Sequence, residues 1–210
     1  MNEIFGYGKD AFTIWALKKH ISEILTELDD QSALPSCLIF FRPSFGRKSG
    51  KGSAEFREFD TILASSESVY LIKSKWDNLS PNKNDEIKLK NEQILRHRIF
   101  SWYFMKWEAQ HYRNWKEFCN ASQKDFRSNF PDKKIAPEES IIARNLEFIL
   151  KKLHEHGKRD KELKNVLLYF YDSNKSKQIK KVITDGLDVN FEVINIEYGQ
   201  HISGNFISLD

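Results

Sequence analysis

Apolar residues recur at three- and four-residue steps near the start of the chain. Ile14, Leu17, Ile21, Ile24, Leu25 and Leu28 line one stripe, with Lys18, Lys19, Glu23 and Glu27 opposite, which predicts one amphipathic helix over residues 10–29. Residues 37–41 (CLIFF) are continuously apolar and short, the mark of a buried strand, and Pro43 ends the run. From 55 to 76 the period changes to two. Phe56, Glu58, Asp60, Ile62 and Ala64 share a face of one strand, residues 65–68 (SSES) supply a turn, and residues 69–75 form a second strand with Leu71, Lys73 and Lys75 on one face.

Residues 77–85 read as a polar loop, and residues 86 to about 118 as a long, bent helical segment. The dense aromatics Phe100, Trp102, Tyr103, Phe104 and Trp107 fit a packed core better than a base-stacking platform. Residues 129–137 are a linker. A further helix is predicted from Pro137 to Gly157, with proline and acids in its first turn. Residues 158–164 read as a solvated turn, 165–171 (NVLLYFY) as a buried strand, 176–185 as a short helix and 190–198 as a last strand, with a loose tail from Gly199. The order is helix, three strands, two helices, strand, helix, strand: an α/β protein.

Composition narrows the class. A chain of 210 residues with 40% hydrophobic content, sixteen Phe and five Trp can bury one sizeable core. A net charge of +3 permits a polyanionic partner without requiring one. Cys37 and Cys119 lack metal-ligand spacing and read as free thiols of a reducing compartment. No stretch approaches the roughly twenty apolar residues that span a bilayer, and the opening residues lack a signal-peptide pattern. The expectation is a cytoplasmic protein without a membrane partner.

The candidate chemistry lies in the hairpin, where Asp60 is set beside Lys73 and Lys75. A second candidate is the glycine-rich basic loop of residues 44–53, whose Arg47, Lys48 and Lys51 suit a phosphate backbone. Its spacing is not that of a P-loop, and the chain carries no nucleophile elbow, Cys-x-x-Cys or dinucleotide fingerprint.

An acid near the end of one strand, followed on the next by an acid, any residue and lysine, is the signature of the PD-(D/E)XK nuclease superfamily, which this chain resembles. Asp60 matches the first acid and Lys75 the lysine, with Ile72 and Trp76 as hydrophobic flanks. The element order matches as well. The resemblance implies a restriction-endonuclease-like αβββαβ core, a mixed central sheet flanked by helices, in a single domain over residues 1–210 with a helical elaboration at about 109–164. It implies a Mg2+- or Mn2+-dependent nuclease that hydrolyses DNA phosphodiesters, in the manner of a bacterial defence or restriction component. Asp60 would ligate the metal and Lys75 position the water. Homodimers or larger defence complexes are the partners such enzymes suggest.

Position 73 departs from the pattern: the family has Glu or Asp, this chain Lys73. An ammonium where a cation should sit turns attraction into repulsion at short range. Three explanations compete. Lys73 impairs the enzyme; or the acid comes from elsewhere, from Glu58 on the face of Asp60 or from Glu92 on the following helix; or the chain is a non-catalytic nucleic-acid-binding or scaffolding subunit whose lysines grip phosphate. An unrelated α/β protein with an ordinary ion pair between Asp60 and Lys75 is a further alternative. Gln93 falls where exonuclease-type members carry a helical glutamine, Arg96 and His97 lie one turn on, and Asp10 corresponds to a further acid used by some members.

Overall fold

The computed structural model describes residues 3–45, 58–77, 84–110, 112–157 and 161–210. In chain order these form β1 (Phe5–Tyr7), α1 (Gly8–Lys19), α2 (Ile21–Glu27), β2 (Leu38–Phe41), β3 (Thr61–Ala64), β4 (Ser68–Trp76), β5 (Glu86–Lys88), α3 (Asn91–Gln110), α4 (Trp115–Asn129), α5 (Ile141–Glu155), β6 (Glu162–Tyr171), β7 (Lys181–Ile183), β8 (Glu192–Glu197), β9 (Ile202–Ser203) and β10 (Phe206–Ser208). The central sheet has the order β2-β3-β4-β6-β8. Its first three strands are an antiparallel meander, whereas β6 and β8 run parallel to β4, so the α/β sheet is mixed.

Alternation along the central strands feeds helices on both faces. Leu63, Tyr70, Ile72, Leu168 and Phe170 pack with Phe12, Trp15, Ile24 and Leu25 of α1 and α2. Ile62, Ala64, Val69 and Leu71 face the other way, into the aromatics of α3 and α4 and the Leu146 and Leu150 side of α5. The aromatic group at 100–107 is core: Trp102 lies against Phe118 and Phe126, and Tyr103 against Trp115. A third cluster covers the far end of the sheet, where Leu167, Tyr169 and Tyr171 meet Leu89, Ile94 and Ile179.

The 65–68 turn is held by Ser65, whose Oγ accepts from the backbone of Glu67 and Ser68 and donates to the buried Asp30. Tyr70 donates to the same Asp30 oxygen at 2.7 Å. At the opposite end, Asp77 accepts from the Asp172 backbone at 2.9 Å and from the Tyr198 hydroxyl, fastening the ends of β4, β6 and β8 together.

Several expected elements differ. The first helix is two, broken at His20, whose backbone leaves the helical region. Strand β2 is an edge rather than a buried strand, and alternate residues Ile39 and Phe41 are exposed. Strand β3 starts at Thr61, later than the 55–64 pattern suggested, and residues 46–57 lie outside the described ones. Glu86 belongs to a short strand, and α3 and α4 are separate helices. Ser140 caps α5, so that helix begins at Ile141 rather than at Pro137.

Lys161, within the stretch taken as a solvated turn, is buried and donates to the Ser65 carbonyl at 2.6 Å, and β6 already begins at Glu162. No helix forms over 176–185. There the β-branched pair Val182-Ile183 enters β7, parallel to β5. The tail is fixed: β10 pairs with β1 and β9, and Ile207 is fully buried.

Candidate functional site

Asp60 immediately precedes β3, and the β3–β4 register, in which Thr61 faces Ile72, carries on to bring Asp60 opposite Lys73. Its side chain does there what a ladder carbonyl would do. Oδ2 accepts from the backbone of Ser74 at 2.8 Å and from Lys73 Nζ at 2.5 Å. The other oxygen, Oδ1, accepts from Lys9 in the first turn of α1. One buried carboxylate is thereby shared by two ammonium groups from different elements.

Electrostatics follow from this sharing. Burial alone would raise the Asp60 pKa, but Lys73 and Lys9 outweigh it and hold the carboxyl below its ordinary value. Burial pulls Lys73 below the usual lysine range, only partly opposed by Asp60. Lys9 goes the other way: burial opposes its charge, but Asp60 and Asp10 together raise it.

A second chain of ion pairs lies beside the first. Lys9 also reaches Asp10 at 2.7 Å, and Arg42 bridges Asp10 and Glu58. Arg42 follows β2 with φ +46, a left-handed conformation unusual for a side-chain-bearing residue, as the chain turns to place the guanidinium across the two acids. Arg96 of α3 is buried and donates to the Glu58 carbonyl at 2.7 Å. Next to it the buried His97 lies 2.9 Å from Asn165 Oδ1, and burial pushes its pKa down to about 4. Five basic groups, Lys9, Arg42, Lys73, Lys75 and Arg96, thus lie around three carboxylates, Asp10, Glu58 and Asp60.

The residues singled out by sequence divide sharply. Asp60 and Lys73 come together. Lys75, on the same face of β4 as Lys73, has no carboxylate within ion-pair distance among the described residues, and its pKa is lowered by burial and by Lys73. An ion pair between Asp60 and Lys75 is therefore not formed; Lys73 takes that place. Glu58 is not a strand neighbour of Asp60, since its carboxylate turns to Arg42.

Gln93 is spent on its own helix, accepting from the Lys90 backbone at 3.1 Å, and Glu92 is exposed beside it. Arg47, Lys48 and Lys51 lie outside the described residues. Two contributors escaped the sequence reading, Lys9 and Arg42. For Lys9 a signal existed, because lysine in a first helical turn opposes the helix dipole and calls for a compensating partner. Arg42 carried no comparable signal.

A divalent ion does not fit this set. Both Asp60 oxygens already accept from ammonium groups, and an ion there would meet two like charges at contact range. Among the described residues, no group of three or more His, Cys, Asp or Glu side chains is arranged to hold a metal ion. Nor is any described helix long and apolar enough to cross a membrane. Comparison of the chain with known protein families, with curated proteins and with solved structures finds no match.

Proposed function

We propose that this chain is a nucleic-acid-binding domain on a PD-(D/E)XK nuclease fold, with the metal position of the nuclease taken over by lysine. The element order supports the fold: helix, an antiparallel meander of three strands, helix, then a strand parallel to the third. Asp60 leads into the second strand of that meander, and Lys73-Ser74-Lys75 lies on the third, where the superfamily places its acids and lysine. Helices α4 and α5 are the elaboration between the last two core elements.

The observation that carries the non-catalytic reading is the placement of Lys9 and Lys73 on opposite oxygens of Asp60. Metal-dependent hydrolysis needs carboxylates to gather a cation that polarises the phosphate and activates water. Here that charge is built in as two ammonium groups, which attract phosphate but cannot lower the pKa of a bound water as a divalent ion does. The excess of basic groups around three carboxylates favours binding of a polyanion, and DNA is the partner the family likeness suggests.

The test is binding and cleavage measured together. Labelled DNA is titrated at several salt concentrations, with and without magnesium. The expected result is association that weakens steeply with salt and leaves the DNA intact under both conditions. Absence of binding at every salt concentration would remove the proposal.

A further inference from the structure

The small sheet β10-β1 presents three aromatic rings to solvent. Phe5 and Tyr7 alternate onto one face of β1, and Phe206 sits opposite Tyr7 on β10. They are 50%, 58% and 50% exposed, which for three rings on one short face is a contiguous patch rather than scattered surface. The other face accounts for the fold. Ile207 is fully buried, and Gly6 passes so near α1 that a Cβ there would lie 2.5 Å from Ala11 Cβ. Packing against α1 thus uses Gly6 and Ile207 and leaves the three rings at least half exposed.

The patch adjoins the lysine site. Tyr7 is two residues from Lys9, and its ring meets the edge of Trp76, which follows Lys75, with centroids 5.7 Å apart. The Tyr7 and Phe206 rings are themselves 5.8 Å apart. Two acids close by in the chain are engaged: Asp10 with Lys9 and Arg42, and Asp210 accepting from the Ile4 backbone at 3.1 Å. Exposed rings beside a basic cluster complement a chain that carries negative charge and unpaired bases together.

On the reading given under Proposed function, we propose that this aromatic face makes single-stranded nucleic acid the preferred ligand, with bases stacked on Phe5, Tyr7 and Phe206 and the backbone running toward Lys9 and Lys75. Duplex bases are stacked on one another and offer only their edges, so a duplex cannot use the rings. Stacking is tolerant of base identity because every base has a π-face, so the preference is for strandedness rather than sequence.

The experiment is anisotropy titration of labelled oligothymidylate, oligouridylate and a matched duplex against the full chain and the Phe5→Ala/Phe206→Ala double variant, with circular dichroism confirming the fold. The single strands are expected to bind the parent more tightly than the duplex does. The variant should lose about tenfold or more of that single-strand affinity and keep duplex affinity, while Phe206→Trp retains single-strand binding. Equal single-strand affinity in parent and double variant would overturn this inference and leave the broader binding proposal standing. So would loss of concentration-dependent self-association in the variant with nucleic-acid affinity kept, which would assign the face to a second copy of the chain. If the parent binds no nucleic acid, both proposals fall.

Discussion

Lys73 Nζ stands 2.5 Å from Asp60 Oδ2, in the middle of a sheet and largely shielded from water. The backbone of Ser74, which donates to the same Asp60 oxygen at 2.8 Å, fixes the carboxylate there. With Lys9 on the second oxygen, Asp60 is shared by two buried or half-buried cations; Lys9 also has Asp10, whereas Lys73 has no other carboxylate within ion-pair distance among the described residues. Removing Asp60 strands Lys73.

Asp60→Ala is therefore expected to destabilise the fold by about 3–5 kcal/mol, the cost of leaving buried charge uncompensated. Asp10→Ala, whose ion pairs are partly exposed, should cost about 1 kcal/mol or less. Urea unfolding at neutral pH, with both variants against the parent, measures the contrast. Similar small losses in both would show that the Asp60 cluster is not buried as described.

Acid should weaken the protein in two stages. The folded pKa of His97, about 4, lies below its unfolded value, near 6.5. The unfolded chain binds that proton first, so stability is lost as pH falls from about 6.5 toward 4. Asp60 is also depressed, and its contribution is present above its unfolded value, near 3.9, and lost as pH falls through the lower folded value. Urea midpoints between pH 3 and 7 should fall along both limbs. In His97→Gln the upper limb should flatten while the lower one persists.

Gly6→Ala should destabilise by about 1–3 kcal/mol, because the added methyl meets a helix side chain in a packed layer. Asp30→Ala should cost about 1–3 kcal/mol, because it leaves the hydroxyls of Tyr70 and Ser65 without their carboxylate acceptor. Thermal or urea unfolding separates these from the parent. Neutral behaviour of Gly6→Ala would mean that β1 does not lie against α1.

Much of the fold could be read from periodicity because the strongest runs did one thing each. The period-two pattern around 62–72 and the continuous apolar run at 165–171 are buried sheet, and the 141–153 stripe is helix. Reading failed where long-range pairing decided the outcome. Residues 181–183, read as part of a short helix, and 206–208, read as loose tail, are strands because β5 and β1 lie beside them. The break at His20 was similarly hidden, since the stripe of Leu17, Ile21 and Ile24 continues unbroken across it. At the candidate site, the β-hairpin register brought Asp60 and Lys73 within reach of inference. Lys9 approaches from a helix some fifty residues away, and only the packing of α1 on β4 places it there.

The central claim is that Lys9 and Lys73 close the Asp60 site to metal. Calorimetric titration of manganese into the parent and Lys73→Glu, with thermal unfolding in parallel, tests it most directly. The parent should give no binding isotherm and no shift in melting temperature, while Lys73→Glu, carrying a second carboxylate beside Asp60, should bind the ion and melt higher in its presence. One-to-one binding by the parent that disappears in Asp60→Asn would contradict the claim and return the site to metal chemistry.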